Sequence, residues 1–379
     1  MNKFERAQNL LQDLDIDGWL IACNEDNDVN SRYLLGVASH ARHYIFVSAK
    51  GNHKVISVEM EAPMIEKSLK QREIDAEVIT YQKMTQLVSY LKEVLDKSKI
   101  ALNYGEDVLD PKGTTFADFI NAGDYLALKK LSPKTNFVSA APIIYNMRSI
   151  KASSELKDLR NVCKATLEIL EEVPDWVKIG ITEKELKAKI EYEFMKQGKV
   201  SFDTIVGMNE NSADPHHNSS EKKLEEGVLL IDCGMQIDEM SSDITWTYWI
   251  GNNPPEKFKK AYKTLYEAKK VANKYYIDGE KNITAANECR KYLEEKGYDH
   301  QKLFFHGLGH SLGFVAHDIG MRISHNVAEE YRLKENMIYT NEPGLYWQAE
   351  WGIRLEDDVI IGKDKCEQVT YNHEEPILI

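Results

Sequence analysis

The chain of 379 residues is longer than one typical core accommodates, and at roughly 100–200 residues per domain it is expected to fold as two. Lys and Arg number 48 against 61 Asp and Glu, a net charge of −13 that argues against a phosphate-binding surface and hence against nucleic acid as a partner. Five scattered cysteines (Cys23, Cys163, Cys233, Cys289, Cys366) suggest neither a disulfide framework nor a cysteine zinc site, and no apolar run reaches the roughly 20 residues of a membrane span, so a cytoplasmic protein is expected.

From Asn2 the residues Phe4, Leu10, Leu11 and Leu14 recur at helical spacing in a charged amphipathic segment, read as a helix and not as a secretion signal. Strand-like runs follow at Gly18–Cys23, His43–Ser48, His53–Val58, 76–80 and Lys99–Leu102, with helical patterns at 61–71, 85–97 and 114–122. This alternation predicts an α/β domain with a mixed, partly parallel sheet over residues 1–146. The polar run 24–27 reads as a solvated turn. With no glycine-rich phosphate loop, nucleophile elbow or dense ligand cluster, this half reads as scaffold, or as wall and lid for a site elsewhere.

After a connector at 146–151, Ser154 is expected to cap a long helix carrying Leu156, Leu159, Leu167 and Leu170. Thr182 and Glu185 form a capping-box pair ahead of a helix with Leu186, Ile190 and Phe194 on one face, stopped by Gly198. Beyond the polar loop SADPHHNSSEKK, the runs 228–232 and 242–250 flank a turn at 234–241 and read as a β-hairpin. Helices then start at Pro255, with Phe258, Tyr262, Leu265 and Val271, and at Thr284, before strands at 337–341 and 352–361. Two helices and a sheet, twice over, predict an α+β domain of two similar halves enclosing a site.

The stretch FFHGLGHSLGFVAHDIG, residues 304–320, sets His306, His310 and His317 among glycines that let the backbone approach a ligand closely. By themselves these histidines fit a metal or acid/base cluster and a hydrogen-bonded turn equally well. Acids in apolar strands decide the matter, because a strand packed on both faces has no place for an unpaired charge. Asp232 ends VLLID, and Asp243 opens the facing strand with Thr245 and Thr247 on its own face. Glu342 ends a strand broken by Pro343 and Gly344, and Glu356 sits in WGIRLEDDVII with Arg354 on its own face. Singly, each reads as a turn cap or a surface ion pair. Four carboxylates with one imidazole suit a pair of hard or borderline divalent ions such as Mn²⁺. Two such ions about 3.5–4 Å apart lower the pKa of a shared water toward about 7, so hydrolysis of an amide is expected.

The series IDCG…SSDITWT, HGLGH…HD, NEPG and GIRLEDD resembles the pita-bread metallopeptidases: X-Pro dipeptidase (prolidase), aminopeptidase P and methionine aminopeptidase. The resemblance covers the second half and implies a pita-bread catalytic domain of pseudo-twofold halves at 151–379. Methionine aminopeptidases generally lack a preceding domain, so the first half implies the branch with a creatinase-like N-terminal domain, here 1–146. Two divalent metal ions are implied, Mn²⁺ first and Co²⁺ or Zn²⁺ as alternatives, on Asp232, Asp243, His310, Glu342 and Glu356. Creatinase resembles the fold without this ligand set.

By the same resemblance Glu342 is also the general base toward the bridging water, and His317 hydrogen-bonds the substrate carbonyl and its oxyanion. His216 of DPHH contacts substrate, with His217 its neighbour or a surface loop residue; His306 lies near the substrate's proline end, and Arg354 orients a metal-bound carboxylate. Where X-Pro enzymes often read Leu-Asp-Val-His, this chain has Phe314-Val315-Ala316-His317, losing an acid near the pocket. The implied activity is hydrolysis of Xaa-Pro dipeptides by a homodimer whose first domain closes over a partner's site. The alternatives are an aminopeptidase P acting on longer peptides, a hydrolase of another small amide, and a non-catalytic pita-bread binding protein.

Overall fold

Phe4, Ala7 and Leu11 form one helical stripe, and in the computed structural model, which describes residues 1–96, 99–107, 116–327 and 331–379, α1 (Lys3–Asp13) buries it. Asn2 caps it, accepting the Glu5 N–H at 3.0 Å while its own N–H reaches the Glu5 carboxylate at 2.9 Å. β1 (Gly18–Cys23) is buried throughout, as a central strand must be. The polar run after it is a turn in which Glu25 and Asp26 both adopt φ of 54°. It leads into α2 (Val29–Leu35), whose seven residues are too few to show a period. Its cap, Asp28, is fully buried, accepting Asn30 N–H at 2.9 Å and Asn103 Nδ2 at 2.6 Å, while Asn103 Oδ1 accepts Trp19 Nε1 at 2.6 Å.

There follow β2 (His43–Ser48), β3 (His53–Val58), α3 (Ala62–Gln71), β4 (Ala76–Tyr81), α4 (Met84–Leu95), β5 (Lys99–Leu102), α5 (Ala122–Leu131), β6 (Asn136–Ser139) and α6 (Ala141–Arg148). The sheet has the order β4-β3-β2-β1-β5-β6, antiparallel from β1 to β3 and parallel elsewhere, the mixed sheet expected. Lys97 and residues 114–115 of the expected helices lie outside the described residues. Residues 116–121 are not helical; the helix starts at Ala122, where Asn121 accepts the Asp124 N–H at 2.8 Å. This unit spans Met1–Met147, and the second spans Arg148–Ile379.

In the second unit α7 (Ser153–Trp176) starts ahead of the expected Ser154 cap, because Glu155 reaches back to the Ala152 N–H at 2.7 Å. α8 (Glu183–Met195) has both capping-box bonds between Thr182 and Glu185. Next come β7 (Lys199–Val200), β8 (Ile205–Met208), β9 (Gly227–Cys233), β10 (Met235–Ile237), β11 (Met240–Ser241) and β12 (Ile244–Ile250). β9 pairs antiparallel with β12 and β8, while the expected turn at 234–241 is itself a hairpin, β10–β11, that joins β7. Leu229, Ile231, Trp246 and Tyr248 pack with Leu159 and Cys163 of α7 in the core. The opposite face of this hairpin is left to Asp232, Thr245 and Thr247.

The second half repeats the plan with α9 (Glu256–Asn273), α10 (Thr284–Glu295) and a short α11 (His300–Leu303), then β13 (Ile338–Asn341), β14 (Gly344–Trp347), β15 (Trp351–Arg354), β16 (Asp357–Ile360) and β17 (Glu367–Gln368). β13 pairs with β16 and β14 with β15, so the strand read at 352–361 is two strands of different sheets. Among the described residues no helix is long and apolar enough to cross a membrane.

α9 grips the β13–β16 sheet through Lys269, whose ammonium pairs with Asp357 and donates to Asn372, all three side chains buried. Lys269→Ala strands the Asp357 charge in the interior, and a loss of about 3–5 kcal/mol in urea-unfolding free energy is expected.

Candidate metal centre

Only one of the four acids lies within a strand. Asp232 is in β9, paired in register with Thr245. The other three sit where strands break: Asp243 between β11 and β12, Glu342 between β13 and β14, Glu356 between β15 and β16. The expectation of acids inside strands is corrected accordingly. Each break leaves a backbone N–H to satisfy, and each finds a partner outside its own ladder. Asp243 N–H donates to Asp358 Oδ2 at 3.1 Å, Glu342 N–H to Leu308 O at 2.9 Å, and Glu356 N–H to Thr245 O at 3.1 Å. Freed from the pleat, the three carboxylates turn inward and join Asp232.

The histidine stretch lies against β13. A Cβ on Gly309 would stand 2.0 Å from Thr340 O, so only glycine permits this approach. Thr340 N–H donates to His310 O at 3.0 Å and its Oγ1 accepts His310 N–H at 3.1 Å. The His310 ring points Nδ1 at Ser311 O, 3.2 Å away, which assigns the proton to Nδ1 and leaves Nε2 as a lone pair. Nε2 lies 3.4 Å from Asp243 Oδ2 and 3.7 Å from Glu342 Oε1. Asp243, His310 and Glu356 each offer a ligand atom within 4.8 Å of the other two, and Asp232 Oδ1 is buried without a hydrogen-bond partner.

Electrostatics say what these atoms fit. Burial pushes Asp243 and Glu356 well above the usual carboxylate range, Asp232 adding to the first and Asp243 to the second. Burial also lifts Glu342 to about 7, against the pull of His310 and Arg354. The interior cannot keep all these groups ionised on its own, and divalent cations bound there would supply the missing charge. The donor set, oxygen-rich with a single imidazole nitrogen, fits hard or borderline divalent ions.

Arg354 donates from Nη2 to Asp232 Oδ2 at 2.6 Å, from Nε to Thr245 Oγ1 at 3.0 Å and from Nη1 to the Tyr346 hydroxyl at 3.0 Å. Thr245 passes its proton to Glu356 Oε2 at 2.6 Å. Thus Arg354 holds Asp232 directly and Glu356 through Thr245. Since Tyr346 accepts from Arg354, its own proton goes to His306 Nε2 at 2.9 Å, and His306 Nδ1–H goes to Gly307 O at 2.8 Å. His306 borders the cavity, but with both ring nitrogens engaged, and burial lowers its pKa to about 3. Thr245 and Tyr346 were not singled out from the sequence. Thr245 had a signal, its place on the Asp243 face, and Tyr346 an indirect one, since its hydroxyl lies 2.4 Å from where Gly344 would carry a Cβ.

The four carboxylates, His306, His310 and Arg354 form one wall of a cavity of about 760 Å³, which His216 and His317 also line. The His317 ring lies with its centroid 4.1 Å from that of His310, the two planes tilted by 50°, and burial together with His310 lowers its pKa to about 4. His217 is no free loop residue: its Nε2 meets Glu183 Oε2 at 2.8 Å. Glu183, fully buried at the start of α8, also accepts Met208 N–H, Asn211 Nδ2, Ser220 N–H and Ser220 Oγ at 2.7–2.9 Å, pinning the loop that carries His216. Residues 314–316 do not line the cavity, and Phe314 and Ala316 are buried. Arg322, not singled out from the sequence, does line it, and a cation five residues after His317 was its only signal.

The chain matches metallopeptidase family M24 over residues 157–363 and the creatinase/prolidase N-terminal domain over residues 3–150. It is 30% identical over 388 aligned residues to an Xaa-Pro dipeptidase of Pyrococcus horikoshii, an alignment covering 98% of this chain and 99% of that one. Among solved structures it is similar to an X-Pro aminopeptidase from Thermotoga maritima (TM-score 0.85, 27% identity, 99% of this chain and 100% of that one). It is likewise similar to the prolidase from Pyrococcus horikoshii (TM-score 0.81, 28% identity, 98% of each). A match across more than half the chain, with the associated N-terminal domain ahead of it, is decisive: the protein belongs to metallopeptidase family M24 and is a metal-dependent peptidase of the prolidase type.

Proposed function

We propose that the protein hydrolyses the Xaa-Pro bond of dipeptides, using two divalent ions, Mn²⁺ before Co²⁺ or Zn²⁺, held by Asp232, Asp243, His310, Glu342 and Glu356. The observation that carries this is the convergence of four carboxylates and one imidazole lone pair on a cavity also walled by His216 and His317. When bound, such ions supply Lewis acidity that acidifies water and polarises the scissile carbonyl. Glu342 takes the proton of the attacking water and delivers it to the departing proline nitrogen. Neutral His317 donates to the carbonyl oxygen as negative charge develops there. His216 contacts substrate from its loop, His306 offers ring surface toward the proline end, and Arg354 keeps Asp232 and Glu356 in orientation.

A dipeptide also brings a carboxylate close to the scissile bond. Of the two arginines on the wall, Arg354 is committed to Asp232, whereas Arg322 faces solvent and the cavity and is the group we assign to that carboxylate. The second reading, aminopeptidase action on longer peptides, draws support from the Thermotoga maritima relative. Residues 1–146 as an N-terminal domain, 151–379 as the catalytic domain, a homodimer and a cytoplasmic location complete the proposal.

Gly-Pro or Ala-Pro assayed against a longer Xaa-Pro peptide separates the readings: dipeptide cleavage alone is expected, cleavage of the longer peptide favours the aminopeptidase, and inertness with metal bound refutes both. His310→Ala or Asp243→Ala should lower kcat/KM at least about a thousand-fold, several kcal/mol of lost electrostatic stabilisation, with the fold retained by circular dichroism. Arg322→Ala should raise KM for dipeptides about 10–100-fold, the worth of a charge-assisted hydrogen bond, and leave kcat nearly unchanged.

The pH dependence of metal binding follows from the carboxylates. Their folded-state pKa values are raised, so without cations the folded state holds protons the unfolded chain has released, and stability falls as pH rises toward about 7 for Glu342. Cations displace those protons. The rise in melting temperature given by saturating Mn²⁺ over chelator should therefore grow from about pH 5 to about pH 7; a constant rise would exclude these carboxylates as the ligands.

A further inference from the structure

The backbone that carries His317 is set by the side chain that follows it. Asp318 is 1% exposed, as is Arg148, and Lys151 is 3% exposed. Asp318 Oδ1 receives Arg148 Nη2 at 2.6 Å and the Ile319 N–H at 2.7 Å; Oδ2 receives the Phe314 N–H at 2.8 Å and lies 3.9 Å from Lys151 Nζ. Its own N–H donates to Ser311 O at 2.8 Å, and Ser311 Oγ donates to Ile319 O at 2.9 Å, which ties the two residues that follow His317 to the residue after His310. The site is tightly filled, since a Cβ on Gly313 would lie 2.1 Å from Asp318 Oδ2 and 2.8 Å from Lys151 Cε.

The two cations come from the stretch that reads as a connector in the sequence. That stretch is fastened to the catalytic unit: Ile150 bridges to Met337, and Lys151 N–H donates to Asn336 O at 3.0 Å. Burying one carboxylate with two cations is a costly way to gain stability, because apolar side chains of the same volume usually do as well. What such a cluster provides is a single allowed geometry, as hydrogen bonds from fixed directions converge on one carboxylate.

We propose that Asp318, clamped by Arg148 and Lys151, is a positioning residue for His317, holding that imidazole against His310 and toward the reacting carbonyl, so that the connector 148–151 is part of the active-site framework. The proposal rests on the reading of His317 as the carbonyl-facing group. A residue that acts only through His317 has no effect once His317 is gone, which defines the test.

Asp318→Asn keeps the side chain's shape and removes the charge that holds both cations. In the Mn²⁺-loaded enzyme it is expected to lower kcat about 10–100-fold, the usual consequence of a small misplacement, with KM within about twofold and metal content unchanged. In a His317→Ala background it is expected to cause no further loss; an equal loss in both backgrounds overturns the proposal. In the Zn²⁺-loaded enzyme, which is diamagnetic, the His317 C2–H proton resonance, identified by its disappearance in His317→Gln, should shift in Asp318→Asn, and an unmoved resonance likewise overturns it. Should Asp318→Asn fail to fold, Arg148→Lys, which keeps the charge but not the guanidinium geometry, carries both measurements with a smaller expected loss of kcat. If the wild type cleaves no Xaa-Pro substrate, the functional reading fails, and the resonance shift alone decides whether Asp318 positions His317.

Discussion

Four carboxylates crowd one side of a cavity, and their mutual repulsion is the constraint around which the second unit is organised. Asp232, Asp243, Glu342 and Glu356 face each other, Arg354 pairs directly with Asp232, and burial with like charge raises the other three. A polypeptide holds such a group together only if each carboxylate is fixed from behind more firmly than its neighbours repel it. The strand breaks serve that end. At Asp243, Glu342 and Glu356 the chain gives up ladder pairing, which aims side chains alternately up and down, and anchors the backbone sideways to another segment.

A second regularity lies one residue away. Glu356 is followed by Asp357, which pairs with buried Lys269; His317 by Asp318, which pairs with buried Arg148; His216 by His217, which meets buried Glu183. In each case the adjoining side chain, fastened to another element, is a handle that fixes the backbone carrying the residue before it. Three times the handle is an ionisable group paired out of solvent. A charged pair there defines direction as well as distance, which an apolar contact does not. The three handles lead to different elements: α9, the stretch before α7, and the first turn of α8.

Much of this fold is legible in the sequence because it is written in local pattern. The β1 run GWLIAC, the Thr182–Glu185 capping box and the alternation of Thr245 and Thr247 against Trp246 and Tyr248 all depend on neighbours in the chain. The proposed ligands were legible because acids in apolar surroundings are rare, although the reason given for them, enclosure in strands, held only for Asp232. What stayed hidden depends on partners far along the chain. Arg354 shares a face with Glu356 in sequence, yet its guanidinium binds Asp232, 122 residues away, and reaches Glu356 through Thr245. That both ring nitrogens of His306 are engaged is visible only once Tyr346 is placed beside it. The seven-residue α2 has no readable period; its evidence is Asp28, whose partner Asn103 lies 75 residues on.

The chain of donors from Arg354 also limits how the site responds to pH. A guanidinium can only donate, so Tyr346 must accept from it and give its own proton to His306, which in turn gives Nδ1–H to Gly307 O. Every proton in the series from Asp232 to Gly307 has one place to be, and the ring nitrogen that would take up a further proton is already an acceptor. With His306 near 3 and His317 near 4, both imidazoles stay neutral across the range in which histidines ordinarily charge. Asp243, Glu342 and Glu356 are the groups whose charge their buried surroundings oppose, and His306 and His317 form a neutral wall beside them.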